Sequence, residues 1–335
     1  MKKLILVVLL AVSMISFAGC SIDLDIPTAH SDGASSVNQD TGNASDKGSV
    51  NQDTGNASDK GSGNQDTGNA SDKGSVNQDT VNVSDKVSSG KQDTGNASDD
   101  LTVEGKDLSK LIVTNGVGAI KLSKASKDKV EIHYSKEVRG LGTNIDEIMD
   151  QILVKTETKG DELTVNVKVR DDETEDFWHW LSAHYKAMNV SVDLDIKVPE
   201  NIKEFKIADG VGDITIAALK GKAEIADGVG DISLKNVSLT DECTFTNGKG
   251  DISIDGDIKE LSHLTIKSGV GKMILRLPGD SKFSIDASTG VGSIDGNLIS
   301  NGEGLVGDSL VQDVNGGGAD IEIKSGTGDI TVDKN

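Results

Sequence analysis

The sequence predicts an all-β domain of β-solenoid-like, stacked short-strand repeats with a small helical insertion. Two observations carry that expectation. A turn motif recurs along the last two-thirds of the chain: Asn115-Gly-Val-Gly-Ala-Ile120, Asp209-Gly-Val-Gly-Asp-Ile214, Asp227-Gly-Val-Gly-Asp-Ile232, Asn247-Gly-Lys-Gly-Asp-Ile252, Ser268-Gly-Val-Gly-Lys-Met273, Thr289-Gly-Val-Gly-Ser-Ile294 and Ser325-Gly-Thr-Gly-Asp-Ile330. Between 209 and 289 its starts lie 18, 20, 21 and 21 residues apart. Each copy is followed by apolar/polar alternation, the period of a half-buried strand. A regular spacing of this length, with two short strands per unit, belongs to repeat architectures in which no single unit can bury its own apolar face.

Residues 1–20 read as an export signal. Lys2 and Lys3 form a basic start, and Leu4 to Phe17 a mostly apolar core too short to span a bilayer as a helix. The segment ends in Phe17-Ala18-Gly19-Cys20, which resembles a bacterial lipobox with Phe17 in place of the usual branched aliphatic residue. Cys20 is then the lipidation site. Acyl chains, worth about 0.8 kcal/mol per buried methylene, would hold the protein at the extracytoplasmic face of a cell membrane. The one remaining cysteine, Cys243, has no partner for an intrachain disulfide. It alternates with Phe245 and reads as a small core side chain.

Residues 21–100 are expected to form a disordered acidic spacer. A 13-residue unit, Ser-Val-Asn-Gln-Asp-Thr-Gly-Asn-Ala-Ser-Asp-Lys-Gly, starts at Ser36, Ser49, Ser62 and Ser75, with a degenerate copy from Ser89. It has almost no apolar side chains and cannot offset the entropy of ordering. A flexible coil of that length spans about 50 Å root-mean-square. Asn-x-Ser recurs at Asn43, Asn56, Asn69, Asn82 and Asn96, but only because the unit recurs.

The folded part is expected over 101–335, with a helical insertion at about 144–190. Leu111–Val113, Ile120–Leu122 and Val130–Ile132 read as strands. Ile145, Ile148, Met149 and Ile152 share one helical face. Leu163–Val169 alternates with period two. Residues 172–188 suggest a second helix with an acidic start suited to the helix dipole. Val192, Leu194, Ile196 and Val198 alternate again until Pro199. From 204 the repeat takes over: Phe205 and Ile207 before a turn, Ile214 and Ile216 after it, with equivalents in every unit.

Three stretches carry a family resemblance: Val198-Pro199 through Ile207-Ala-Asp-Gly-Val-Gly-Asp-Ile-Thr-Ile216, Leu277-Pro-Gly-Asp-Ser-Lys-Phe-Ser-Ile-Asp-Ala-Ser-Thr-Gly-Val-Gly292, and Gly317-Gly-Ala-Asp-Ile-Glu-Ile-Lys-Ser-Gly-Thr-Gly-Asp-Ile330. They resemble the putative-adhesin, β-strand-repeat family of bacterial domains of unknown function. The resemblance covers about 101–335. It implies a β-solenoid-like surface domain, sometimes linked to envelope-stress regulation, and supplies no catalytic residues.

Charge and composition exclude several function classes. The net charge is −21 and aromatic residues are 3% of the chain. So acidic a chain does not suit nucleic acid or an anionic lipid surface. Asp213, Asp231, Asp251 and Asp329 follow the second glycine of their turns, and Asp209, Asp227 and Asn247 precede the first. Stacked units would align them into two outward carboxylate ladders. The first reading is turn chemistry, since Asp and Asn bond nearby backbone amides; calcium then changes stability little. The alternative makes Asp209, Asp213, Asp227, Asp231 and Asp251 calcium ligands, because calcium takes several oxygens at once.

No enzymatic constellation is visible. His30, His133, His179, His184 and His263 are scattered, and His179 and His184 miss the two-histidine metal spacing on a helix. The Gly-x-Gly turns lack the third glycine and long helix of a dinucleotide site. Phe177, Trp178, Trp180 and Tyr185 stand outside the repeat pattern. Trp178, Trp180 and Tyr185 are partner- or sugar-contact candidates, or else part of a cap over one end of the repeats. The expected role is non-catalytic and cofactor-free: adhesion, interaction with a cell-envelope component, or envelope sensing. Alternatives are a calcium-dependent surface binder and a polysaccharide-active β-helix enzyme.

Overall fold

A computed structural model describes residues 93–140, 144–185, 188–304 and 306–335. The export signal, Cys20 and the spacer up to Gln92 lie outside the described residues. β1 (Asp93–Glu104), β2 (Lys110–Thr114), β3 (Ile120–Lys124) and β4 (Lys129–Gly140) precede a short helix, α1 (Ile145–Gln151). β5 (Ile152–Lys159) and β6 (Glu162–Val169) form a hairpin, followed by α2 (Phe177–His184) and β7 (Asn189–Val198). The regular repeats supply β8 (Glu204–Val211), β9 (Ile214–Ala217), β10 (Lys220–Val229), β11 (Ile232–Lys249), β12 (Ile252–Val270), β13 (Met273–Leu277), β14 (Phe283–Val291) and β15 (Ile294–Asp295). The chain ends in β16 (Ser309–Val314), β17 (Ala319–Thr327) and β18 (Ile330–Lys334). The described residues are therefore all-β with two short helices, and the strands join in one continuous sheet.

Register follows the repeat. Before the turns, parallel pairing runs β6, β2, β8, β10, β11, β12, β17, β14. After the turns it runs β7, β3, β9, β11, β12, β13, β18, β15. β11 and β12 serve both series, which is why they reach 18 and 19 residues. Alternation puts one apolar row inside each series. Val165, Val113, Ile207, Ile225, Phe245, Ile266, Ile323 and Ala287 are register partners in turn, all buried. Leu194, Ile120, Ile214, Ile232, Ile252, Met273, Ile330 and Ile294 form the second row. Cys243 is fully buried between them, and burial pushes its thiol pKa up.

Spatial order departs from chain order at two places: β6 and β7 stack outside β2 and β3 rather than between them and β8 and β9, and a second departure lies near the other end. The last unit, at Ser325, inserts between the units at Ser268 and Thr289. The final parallel pair is then closed by antiparallel β16 along β14. At the opposite end β5 pairs antiparallel with β6, and β4 with both β7 and β1.

Two sequence boundaries move. β1 begins at Asp93, so residues 93–100, assigned to the spacer, are part of the sheet. Apolar burial does not hold them there. Twelve consecutive register pairs with β4 satisfy the strand's backbone, and Gly95 fits beneath α1, where an added Cβ would lie 2.7 Å from Ile145 Cγ2. The second helix spans 177–184 rather than 172–188. It starts where Asp176 Oδ1 accepts the Trp178 and His179 amides, both at 3.1 Å, which satisfies two donors of its first turn.

The turns themselves impose the tightest constraint. The second glycines, in spatial order Gly118, Gly212, Gly230, Gly250, Gly271, Gly328 and Gly292, lie backbone on backbone. A Cβ at Gly230 would sit 1.9 Å from the Gly212 carbonyl oxygen, one at Gly250 1.9 Å from that of Gly230, and one at Gly271 1.9 Å from that of Gly250. No side chain fits that gap. Gly230→Val should therefore destabilise the domain by more than the roughly 1–3 kcal/mol of backbone strain alone. Gly279→Ala, whose nearest neighbour would be 4.0 Å away, should be close to neutral. Urea unfolding of the two variants checks both.

Candidate functional site

Every turn places three residue types on three different faces. The residue between the glycines points out. Val211, Val229, Val270 and Val291 are 43–53% exposed and form an apolar row along the turn edge, interrupted by Lys249 and Thr327. The residue after the second glycine is also exposed, as the outward reading expected. Its carboxylates bond to the backbone of the neighbouring unit. The Asp231 amide donates to Asp213 Oδ1 (3.0 Å), the Asp251 amide to Asp231 Oδ1 (2.8 Å), the Lys272 amide to Asp251 Oδ1 (2.7 Å) and the Ser293 amide to Asp329 Oδ1 (2.9 Å).

The residue before the first glycine is the correction. It was placed in a second outward ladder, yet Asn115, Asp209, Asp227, Asn247, Ser268, Ser325 and Thr289 are all buried. They form an inner polar column, each in register with the next or one residue beyond a register pair. The reason is alternation. Phe205, Ile207 and Asp209 are spaced by two and share the inward face, as do Ala223, Ile225 and Asp227. That parity was present in the sequence and was overridden by the expectation that charge seeks solvent.

The asparagines and the threonine of the column bond to neighbouring carbonyls, whereas the Ser268 and Ser325 hydroxyls are buried without a partner. Asn247 Nδ2 donates to the Gly230 carbonyl (2.7 Å), Thr289 Oγ1 to that of Gly328 (2.9 Å), and Asn115 Nδ2 to those of Val192 (2.9 Å) and Gly118 (3.3 Å). Asp209 and Asp227 have no donor when ionised. They are 7% and 6% exposed, are register partners, and no donor reaches any of their four carboxylate oxygens in hydrogen-bonding geometry. Asn115 Oδ1 is likewise buried and unpartnered. Burial pushes the Asp209 carboxyl up to about 7, helped by the charge of Asp227; burial does the same for Asp227, again to about 7. The next charges are also carboxylates: Asp193 and Asp213 beside Asp209, Asp213 and Asp231 beside Asp227. The amides of Gly210, Gly228 and Val229 offset the burial only in part.

The aromatic segment lies at one end of this column. A Cβ on Gly116 would lie 2.4 Å from Trp178 Cγ, as one on Gly210 would lie 2.5 Å from the Gly116 carbonyl oxygen. The indole thus takes the place that a preceding unit's backbone would occupy. Phe177 is fully buried, and Trp180 packs between Phe177 and Tyr185 with centroids 5.8 and 5.4 Å away. Trp178, Trp180 and Tyr185 are each half-buried, so the segment caps the first turn while keeping part of each ring accessible. Among the described residues no group of three or more His, Cys, Asp or Glu is arranged to hold a metal ion. Two surface clefts lie among the described residues, one lined by Asn96, Ser98, Lys136, Glu137 and Asp193 and the other by Lys124, Pro199 and Lys220.

No protein-family model matches the chain, and neither does any curated protein. Solved structures are similar to it, and the resemblance to putative adhesins stands among them. A putative cell adhesion protein from Clostridium sporogenes is 20% identical, covering 72% of this chain and 100% of its own, with a TM-score of 0.41. A putative adhesin from Bacteroides fragilis is 16% identical over 71% of this chain and 97% of its own, with a TM-score of 0.36. A putative adhesin from Parabacteroides merdae is 10% identical over 72% and 96%, with a TM-score of 0.29. At these values the likeness assigns this chain no ligand and no partner.

The inner acids make stability depend on pH. Each has a folded-state pKa near 7 against an ordinary value of 3.8, so the folded state retains protons that the unfolded chain releases. Stability therefore falls as pH rises from about 4 to about 7 and stays low above that. In metal-free buffer the domain should melt several degrees higher at pH 5 than at pH 8. Asp227→Asn should flatten that dependence and raise the melting temperature at pH 8, because Asn247 already shows an amide accommodated at the same column position. Scanning calorimetry across the pH range measures both.

Proposed function

We propose that this is a lipid-anchored, extracytoplasmic surface protein with a non-catalytic role in adhesion or envelope interaction, and that its sheet series are the faces of one β-solenoid. The observation that carries the reading is the turn edge. There the exposed valines 211, 229, 270 and 291 run beside the outer carboxylate row of Asp213, Asp231, Asp251 and Asp329. An edge that repeats one small contact unit by unit suits an extended partner, which gains affinity from many weak contacts at once. Surface clefts suit such contact better than turnover of a small substrate. Cys20 and the polar array place this edge away from the membrane: the lipid holds one end and the array sets the reach.

Two measurements test the proposal. Cys20→Ala should shift the protein from the membrane fraction to the soluble extracytoplasmic fraction, and unchanged membrane retention would refute the anchor. Replacing Val211, Val229 and Val270 together by Thr should leave melting unchanged, since all three are exposed, yet weaken capture of cell-envelope material by the purified protein at least tenfold. Equal capture by the triple variant would remove the turn edge from the function.

A further inference from the structure

We propose that Asp209 and Asp227, together with Asn115 Oδ1, form a buried calcium site between neighbouring units of the inner column. Three independent features of the turns point there. First, the oxygens are acceptors without donors. All four carboxylate oxygens and Asn115 Oδ1 lack a hydrogen-bond partner, and their residues are 93, 94 and 97% buried by exposures of 7, 6 and 3%. Asn115 is oriented by its amide. Nδ2 is held by the Val192 carbonyl on β7, and β7 flanks the Asn115 unit on the side away from Asp209. Oδ1 is left buried without a donor.

Second, the column shows what normally fills this place. Asn247 Nδ2 donates to the Gly230 carbonyl of the preceding unit. Moving that bond back one unit sets the Asp227 carboxylate against the Gly212 carbonyl, and one further unit sets Asp209 against that of Gly118. Oxygen faces oxygen where the rest of the column has a donor. A hard cation resolves that opposition with oxygen ligands alone. Two carboxylates also balance the charge of one divalent ion.

Third, the donor set favours calcium. Calcium takes oxygen ligands in flexible geometry at about 2.3–2.6 Å, whereas magnesium demands a near-ideal octahedron and gives up its waters reluctantly, which a buried site in a fixed backbone does not suit. The outer row is a poor competitor. Asp213, Asp231, Asp251 and Asp329 each hold Oδ1 in a full hydrogen bond to a backbone amide, whereas the Gly210, Gly228 and Val229 amides near the inner pair fall short of hydrogen-bonding geometry. Of the five sequence candidates the inference therefore keeps Asp209 and Asp227, sets aside Asp213, Asp231 and Asp251, and adds Asn115. It reverses the expectation that calcium leaves stability unchanged. It is also independent of what the turn edge binds.

The test uses the full chain, stripped with chelator, at pH 8. Calcium should raise the melting temperature by several degrees, progressively with concentration as linkage requires, and equilibrium dialysis should find one calcium per chain at this site. Magnesium at equal concentration should give a much smaller rise. Asp227→Asn should abolish the calcium response while retaining a cooperative melt, and Asp231→Asn should keep the response. No calcium response in the unsubstituted chain would overturn the proposal and leave protons as the only occupants of the pair. A response that survives Asp227→Asn, or that Asp231→Asn removes, would overturn it by moving the site to the outer row.

Discussion

The structure depends on one contact, the carbonyl of a second glycine lying where the Cβ of the next unit's second glycine would be. With separations of 1.9–2.3 Å from Gly212 to Gly292, the contact leaves no space for a side chain. It also locks register. Once two glycines meet, the residues before them must pair one to one, and so must those after them. The two apolar rows then close without slippage. A shift by one residue would turn every inward isoleucine to solvent. Because each unit is held only by its neighbours, the ends need separate solutions. Trp178 covers the first turn, and antiparallel β16 covers the last parallel pair.

The same register produces the chemistry. Strict alternation forces the residue before the first glycine inward, next to the apolar rows, in a place reached by carbonyl oxygens. Asn115, Asn247 and Thr289 suit that place because each brings a donor. Asp209 and Asp227 do not, and they are adjacent, which puts four unpartnered carboxylate oxygens side by side in the column. A buried polar group without a partner costs free energy that the surrounding packing must offset. The outer acids carry no comparable tension, since their oxygens bridge to the next unit's amides and reinforce the stacking.

Much of the architecture was legible in the sequence. The glycine pairs, the alternation and the spacing near twenty residues lead to the repeat and to its inward isoleucines. Cys243 falls where the alternation with Phe245 puts it. The unit order was not legible. The turn motifs at 289 and 325 are separated by the excursion that forms β16, and nothing local shows that the last unit inserts beside the one at 268. β1 was hidden for another reason: Asp93–Asp100 has no apolar alternation, and an edge strand held by backbone pairing leaves no hydrophobic signature. The inner acid pair was within reach. Counting in twos from Phe205 and Ile207 leads directly to Asp209. Preference for solvated charge hid it, although backbone geometry outweighs that preference where it has no freedom to yield.

Amide hydrogen exchange tests the central contact most directly. The amides of Gly212, Gly230, Gly250 and Gly271 each donate to a carbonyl of the adjoining unit, at 2.9–3.0 Å: Val229, Lys249, Val270 and Thr327 in turn. If these turns are locked backbone to backbone, all four amides should exchange as slowly as the core strand amides of Ile225 and Phe245, through global unfolding alone. Exchange at the rate of an open turn such as Gly160, which has nothing within 4 Å of its Cβ position, would show that the turns move independently and that the glycine contact does not hold the fold.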